Sequence, residues 1–173
     1  MRSLAGEFVA LYGRQVARCR ELGIDVDPYP IGHVAVRTHD VDEYLAARDR
    51  IEPHCSANVE NLWSGRPISK LLLLEPMRMS GVHAVELVEL IPPPHRPDVA
   101  LGVEHFGFVL GDDFDAFEHR FGSVITEQQD QGPFNQPFLI QFEDRTSVKF
   151  HRWSLADVVR REGHEFTGFE HVI

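Results

Sequence analysis

The stretch Ile31-Gly32-His33-Val34-Ala35-Val36-Arg37-Thr38 decides the predicted fold of this chain. Val34 and Val36 fall on one parity of the stretch. His33 and Arg37 fall on the other parity. An alternation with a period of two, rich in β-branched residues, predicts a half-buried β-strand. The polar face of this strand presents an imidazole and a guanidinium group together.

A second stretch, Val103-Glu104-His105-Phe106-Gly107-Phe108-Val109-Leu110, repeats the pattern. His105 takes the place equivalent to His33, on the parity opposite two phenylalanines. The two histidines are 72 residues apart, and Pro67 and Pro137, which precede the third strand of each repeat, are 70 residues apart. Nearly equal offsets at two independent landmarks indicate an internal duplication.

Each repeat reads as β-α-β-β-β, so we predict an α+β fold of two paired βαβββ modules that form one concave mixed sheet. The modules span residues 30–91 and 102–151 and are joined by a proline-rich linker. An N-terminal helix within residues 1–23 and a C-terminal helix and tail over residues 154–173 are added. We expect all of residues 1–173 to form a single domain.

Within this plan we predict eight main strands, with the capped helices on the convex side of the sheet. The expected helix caps are Asp40, Asp112 and Ser154. The segment 76–81 is predicted to be a loop, and residues 124–127 a short strand. The tail from residue 162 onward has no clear period and receives no assignment.

Composition and charge narrow the function. The net charge of −10 argues against nucleic acid and anionic membranes as partners, because the overall field repels both. Glu7 and Arg14 interrupt any apolar leader at the N-terminus. Cys19 and Cys55 have no CxxC spacing, so we expect a protein of the reducing cytoplasm. Ten histidines make a metal site a natural hypothesis.

Several blocks of this sequence resemble the YecM-like proteins of the vicinal oxygen chelate superfamily, which includes glyoxalase I, extradiol dioxygenases and bleomycin-resistance proteins. In chain order, the blocks that carry the resemblance are Gly32-His33-Val34-Ala35-Val36-Arg37, Glu60-Asn61-Leu62-Trp63-Ser64-Gly65-Arg66-Pro67-Ile68, Val88-Glu89-Leu90, Glu104-His105 and Val148-Lys149-Phe150-His151-Arg152-Trp153-Ser154. They cover most of the chain from Pro30 to Val159. The second and the last are fairly specific, whereas the histidine strands alone are not.

The resemblance implies one metal ligand in the first and last strand of each module, on the inner face. The first module then supplies His33 and Glu89, and the second supplies His105 and a residue near His151. Two imidazoles and a carboxylate with open positions suit a divalent Fe, Mn, Ni or Zn ion. Such an ion polarises a bidentate oxygen substrate or generates a bound hydroxide.

Two positions stay open at this point. Glu86 and Glu89 lie on opposite parities of one strand, and Glu89 is preferred because it matches the Val-Glu-Leu block. In the last strand, Lys149 stands where many family members have a glutamate. His151 completes the ligand set there, or Lys149 occupies the position, or the site has three protein ligands, or the chain binds no metal.

Four further residues are candidates for substrate binding: Arg37, Arg66, Lys149 and Glu60. Arg37 shares a strand face with His33, so its guanidinium group either holds an anion bidentately or, like that of Arg66, belongs to an ordinary surface residue. Glu60 either binds substrate or only shapes the hairpin. No catalytic residue is assigned, since Glu89 serves either as ligand or as base and Glu60 is remote.

Three hypotheses for function follow. The first is a metal-dependent isomerase, lyase or oxygenase acting on a small oxygen-chelating substrate, and its reaction type rests on resemblance alone. The second is a non-catalytic protein of the same fold that binds or sequesters a small molecule, which Lys149 favours. The third is an interaction module that forms a homodimer through its N-terminal helix.

Overall fold

The computed structural model describes residues 2–173, with side chains from residue 4 onward. Within this range the helices are α1 (Arg2–Glu21), α2 (Val41–Ile51), α3 (Phe114–Phe121) and α4 (Leu155–Arg161). The strands are β1 (Ile31–Arg37), β2 (Cys55–Trp63), β3 (Arg66–Arg78), β4 (Ala84–Ile91), β5 (Gly102–Val109), β6 (Glu127–Gln128), β7 (Phe138–Gln141), β8 (Ser147–His151) and β9 (Phe169–Glu170). No helix in this part of the chain is long and apolar enough to cross a membrane.

The strands form one mixed sheet in the order β6-β7-β8-β5-β1-β4-β3-β2-β9. The first strands of the two modules, β1 and β5, pair antiparallel at the centre. Each then pairs in parallel with the last strand of its own module, β1 with β4 and β5 with β8. The two halves mirror each other from the centre outward, which confirms the α+β fold of two paired βαβββ modules.

The apolar parity of the two central strands faces the helices. Val34, Val36, Phe106 and Phe108 are buried in the main core together with side chains of α1, α2 and α3. Burial of such side chains contributes about 1.5–3 kcal/mol each, so this face fixes which way both strands turn. His33 and His105 point to the opposite, inner face of the sheet.

Two of the three predicted helix caps are present. The side chain of Asp40 accepts a hydrogen bond from the backbone N–H of Glu43, and Ser154 accepts one from Asp157. Asp112 is not a cap, because a 3₁₀ turn leads into α3. A side-chain cap needs extended backbone at the first position, whereas the residue there, Asp113, already has a helical conformation.

The predicted loop at 76–81 is wrong in its first part, because β3 continues through Pro76. Met77 pairs with Val85 of β4 after a register shift that begins at Leu72. The irregular stretch between these pairs accommodates the proline, since a residue outside the regular ladder needs no N–H donor. The strand predicted over 124–127 is likewise shifted, to the two residues of β6.

A ninth strand lies in the tail that the sequence pattern left unassigned. β9 pairs in parallel with β2, with Asn58 opposite Phe169 and Val59 opposite Glu170. The sheet therefore has one more strand than the eight predicted. A strand of two residues has no measurable alternation, so its sequence carries no periodic signal.

Helix α4 is on the inner face of the sheet, which corrects the expectation that every capped helix lies on the convex side. Leu155 and Val158 of α4 pack against Leu87, an inner-face residue of β4. The chain leaves β8 and enters α4 after only three residues. This short connection folds the apolar side of α4 over the inner face, next to β1, the strand of His33.

Candidate metal centre

His33, Glu89 and His105 come together on the inner face, at the level of one residue of β1. Ala35 is the register partner of both Glu89 on β4 and His105 on β5. The Nε2 atoms of the two histidines are 3.2 Å apart. Glu89 Oε2 is 3.8 Å from His33 Nε2 and 3.9 Å from His105 Nε2. Distant parts of the sequence thus supply three ligand atoms to one point.

The geometry of this group fits a divalent metal ion. All three ligand atoms lie within 4.8 Å of one another. A point equidistant from them is about 2.1 Å from each, which matches the ~2.0–2.2 Å bonds that zinc forms with imidazole nitrogen and carboxylate oxygen. Three protein ligands leave coordination positions open, as catalytic rather than structural sites do.

A β-bulge places Glu104 behind His105. In the register of β1 and β5, Ala35 pairs with His105 but Val36 pairs with Val103, so Glu104 has no partner. The bulge turns Glu104 toward the same face as its neighbour, and its carboxylate bonds His105 Nδ1. With the proton held on Nδ1, the Nε2 lone pair of His105 is available to a metal.

The Glu104 carboxylate is itself held by two further donors. Arg37 Nε donates to its Oε2 atom at 3.2 Å, and Ser147 Oγ donates to its Oε1 atom at 2.8 Å. Burial opposes ionisation of Glu104, but the attraction of His105 and Arg37 is stronger and lowers its pKa well below the usual range. Glu104 is therefore a carboxylate that orients His105.

His151 lies beside His33 but outside the three-residue group. The centroids of the two rings are 5.1 Å apart, and His151 Nδ1 lies 3.1 Å from Asn135 Oδ1. His33 Nδ1 and His151 Nε2 are buried without a hydrogen-bond partner among the described residues. Both nitrogens border Gly107, whose missing side chain leaves room for the two rings. His151 therefore packs edge-to-face against His33 without a hydrogen bond between the two rings.

Lys149 occupies in the second module the position of Glu89 in the first. Glu89 pairs with Ala35, two residues after His33, and Lys149 pairs with Gly107, two residues after His105. The Lys149 side chain is on the inner face and is buried. Lys149 is not among the three residues whose ligand atoms lie together, and an ammonium group has no lone pair for a cation.

The protonation states of the group suit metal binding. Burial lowers the pKa of His33 to about 3, and it also lowers the pKa values of His105 and His151. Burial raises the pKa of Glu89, but the nearby His33 and Lys149 lower it by more, so the net shift is downward. Neutral imidazoles beside an ionised carboxylate are the forms that coordinate a metal.

A pocket of about 600 Å³, which includes solvent at its mouth, opens beside this group. Its walls include Arg37, Arg66, Lys149 and Glu89, and α4 covers one side. A second, adjoining pocket shares the three cationic residues. Three of the four predicted substrate-binding residues thus line the cavity next to the candidate metal centre.

Glu60 lies on the other face of the sheet and is absent from this pocket. Its carboxylate accepts hydrogen bonds from Arg48 at 2.7 Å, from Ser69 at 3.1 Å and from the Tyr44 hydroxyl. The structure therefore makes Glu60 part of the packing between α2 and the sheet. Of the two glutamates left open in β4, Glu86 is exposed and Glu89 points into the pocket.

The sequence patterns gave no indication of three residues of the site. Glu104 follows the wrong parity for a regular strand, because the bulge that redirects it leaves no mark in the sequence. Lys70 lies next to an apolar run in β3, and Asn135 lies in a polar loop without period. The adjacency of Glu104 to His105 is the one signal that was available.

The chain matches a family model, a curated relative and a solved structure over most of its length. The family described as YecM protein matches residues 1–162. Protein YecM of Escherichia coli (strain K12) is 25% identical over 158 residues, covering 83% of this chain and 84% of that protein. A solved structure named Protein EC4020 superposes with a TM-score of 0.69 at 23% identity, covering 94% of this chain and 91% of that one. A fosfomycin resistance protein from Listeria monocytogenes, complexed with Mn(II) and sulfate, matches with a TM-score of 0.30 at 11% identity, covering 75% and 94% of the two chains.

Proposed function

The chain belongs to the YecM family, and we propose that it is a metal-dependent protein that acts on a small oxygen-chelating molecule, as an isomerase, lyase or oxygenase. The observation that carries the proposal is the convergence of His33, Glu89 and His105 on one point beside a pocket. Buried groups of this kind, with open coordination positions, are typical of catalytic metal centres. The identity of the ion is proposed only as divalent Fe, Mn, Ni or Zn.

The residues of the chain have distinct roles in this proposal. His33, Glu89 and His105 hold the ion, and Glu104 fixes the orientation of His105. Arg37, Arg66 and Lys149 bind the substrate from the pocket wall. Helix α4 excludes water from one side of the pocket. When bound, the ion supplies Lewis-acid polarisation of the substrate oxygens.

A second candidate function is binding or sequestration without turnover. It is favoured by Lys149, a cation at the position that mirrors Glu89. The two functions differ in one measurement. Incubation of the metal-loaded protein with a panel of small hydroxy and oxo acids, followed by mass spectrometry, gives product for an enzyme and unchanged ligand for a binding protein.

The metal part of the proposal is tested by elemental analysis of protein purified without added metal, followed by calorimetric titration. We expect His33→Ala and His105→Ala to abolish metal binding equally. The matched control is His119→Ala, an exposed histidine on α3. Wild-type protein that binds none of Fe, Mn, Ni, Co or Zn would overturn the proposal, as would normal binding by both site variants.

The remaining proposals concern location and assembly. The thiols of Cys19 and Cys55 are both buried and free of a disulfide, which supports a place in the reducing cytoplasm. Dimerisation through α1 stays a prediction. The apolar side of α1, including Phe8 and Leu11, packs on the chain's own sheet, which disfavours that interface. Mass measurement in solution tests it.

A further inference from the structure

We propose that the pocket is selective for a small organic dianion: an oxyanion group lies among Arg37, Arg66 and Lys149, and neighbouring oxygens face the His33–Glu89–His105 group. This inference deepens the proposed function by naming the class of its ligand. It rests on that function for the role of the metal, whereas the anion subsite stands on the cations alone.

Lys149 is a buried lysine that lines the pocket. Its side chain is on the inner face with a relative exposure of 4%. Among the described residues, no carboxylate lies within 4.0 Å of its ammonium group and no hydrogen-bond partner is present. A cation that is largely removed from water and has no contact partner is stabilised by an anion, so the position favours an anion that enters from the pocket.

Arg37 and Arg66 present further N–H donors to the pocket. The Arg66 guanidinium group donates to the Pro94 carbonyl at 2.5 Å, and no carboxylate lies within 4.0 Å of it in the part of the chain that the structure describes. Arg37 bonds Glu104 through Nε, and its Nη1 atom lies 3.4 Å from His95 Nδ1. The remaining N–H groups of both forks can grip a carboxylate, phosphate or phosphonate in the bidentate manner that arginine favours.

Two of the pocket's cations, Arg66 and Lys149, differ from many other basic residues of the chain, because no carboxylate of the described residues contacts them. Several exposed arginines form ion pairs with aspartates: Arg18 with Asp144, Arg96 with Asp98, Arg120 with Asp113, Arg152 with Asp115 and Arg160 with Asp157. Arg37 is paired with Glu104, and Glu89 also lines the pocket. The positive charge that attracts a small anion is therefore that of Arg66 and Lys149, in a chain whose net charge is −10.

Apolar side chains that also line the pocket limit the rest of the ligand. They are Ile68 and Ile91 from the sheet and Leu155 and Val158 from α4. A short carbon skeleton can pack against these side chains while its charged end contacts the arginines. Lys70, whose ammonium group bonds Asn61, is part of the same lining and is available for a second charge. A compact dianion with an apolar flank matches this lining.

The test uses protein freed of metal with a chelator that is then removed, and calorimetry with four probes. Malonate represents dicarboxylates, methylphosphonate and inorganic phosphate represent phosphorus oxyanions, and dimethyl malonate is the uncharged control. We expect saturable binding of the anions that weakens as salt is raised, and none of dimethyl malonate. The probe that binds more tightly, malonate or the phosphorus oxyanions, shows whether the natural ligand carries a carboxylate or a phosphorus-containing acid group.

Charge-removing variants complete the test. Lys149→Met and Arg66→Gln should each weaken anion binding at least about tenfold, the usual scale for a desolvated charged contact. Arg50→Gln, an exposed arginine on α2, should bind like wild type. Arg66 is only half-buried, so its variant keeps the test valid if Lys149→Met fails to fold. Equal binding of malonate and dimethyl malonate, or wild-type affinity in folded Arg66→Gln, would overturn the inference.

Metal titration of the same samples separates this inference from the proposed function. Arg66→Gln should take up metal like wild type, because its side chain is not a ligand. Wild-type protein that binds malonate but no metal supports the anion subsite and overturns the metal-dependent function. Wild-type protein that binds metal but no anion supports the metal-dependent function and overturns the anion subsite.

Discussion

Gly107→Ala on β5 is expected to displace His33, a candidate metal ligand on the neighbouring strand β1. A β-carbon at Gly107 would lie 2.3 Å from His33 Cε1, 2.6 Å from His33 Nδ1 and 3.0 Å from His151 Nε2. Ordinary contacts between such atoms are about 3.5–4.0 Å, so the His33 ring must move by about 1 Å or more. The backbone of β5 cannot give way instead, because β1 and β8 hold it from both sides.

The size of the effect follows from this displacement. Overpacking a buried site lowers the free energy of unfolding by about 1–3 kcal/mol, and we expect that loss in metal-free protein. Metal sites tolerate bond-length errors of only about 0.2 Å, so a shift of His33 by about 1 Å should weaken metal binding 10–100-fold. Urea unfolding measures the first quantity, and competition with a chromophoric chelator measures the second.

The matched control is Gly81→Ala, where an added β-carbon has no neighbour within 4 Å. This variant should match wild type within about 0.5 kcal/mol in stability and in metal affinity. If Gly107→Ala binds metal as tightly as wild type, the His33 ring does not need its observed place, and the three-ligand geometry is refuted.

Three further predictions concern pH, the far face of the sheet and His151. Burial lowers the pKa of His33 to about 3, so the unfolded state takes up a proton at this histidine before the folded state does as pH falls. Metal-free protein should therefore be fully stable above pH ~6.5 and lose stability between pH ~6.5 and ~3. Urea unfolding should show a flatter dependence of stability on pH in His33→Gln. Glu60→Ala leaves Arg48 buried without its partner and should cost about 3–5 kcal/mol in unfolding experiments, yet folded protein should keep its metal affinity; a loss of affinity there would return Glu60 to the site. His151→Ala should weaken metal binding about 10–100-fold with the stoichiometry retained, whereas a lost stoichiometry by elemental analysis would make His151 a ligand.

The features that the sequence predicted well are those set by strand periodicity. The alternation around His33 and His105 fixes which side chains face the helices, because the apolar parity must be buried. The spacing of the two repeats then predicts that the histidine strands meet at the centre of the sheet. The structure has both features, with β1 and β5 paired antiparallel.

The features that periodicity missed depend on register and on chain reversal. Glu104 reaches His105 only because the pairing of β1 and β5 slips by one residue at that point. Such a slip depends on both strands at once, so neither sequence displays it. Glu89 could be chosen over Glu86 only through its family-like block, since both parities of β4 carry apolar residues.

The position of helix α4 could not be predicted from the sequence, although the helix itself could. Its apolar spacing and the cap at Ser154 predict a helix over residues 155–161, and the structure has it there. The side of the sheet on which it lies is decided by the direction in which the chain leaves β8, which amphipathic spacing does not encode. For this reason the sequence did not predict that α4 covers one side of the pocket.

The two outermost strands have a consequence for how copies of this protein behave in concentrated solution. β6 and β9 are each two residues long, so the terminal strands themselves offer few free backbone donors and acceptors. Growth of a fibril by addition of strands needs a long, uninterrupted row of such groups. The neighbour of β9 in the sheet is β2, which is nine residues long, and β9 pairs with its residues Asn58 and Val59. The segment around Phe169 thus interrupts the edge of β2 near its middle, and detaching it would leave a continuous template for strand-by-strand aggregation.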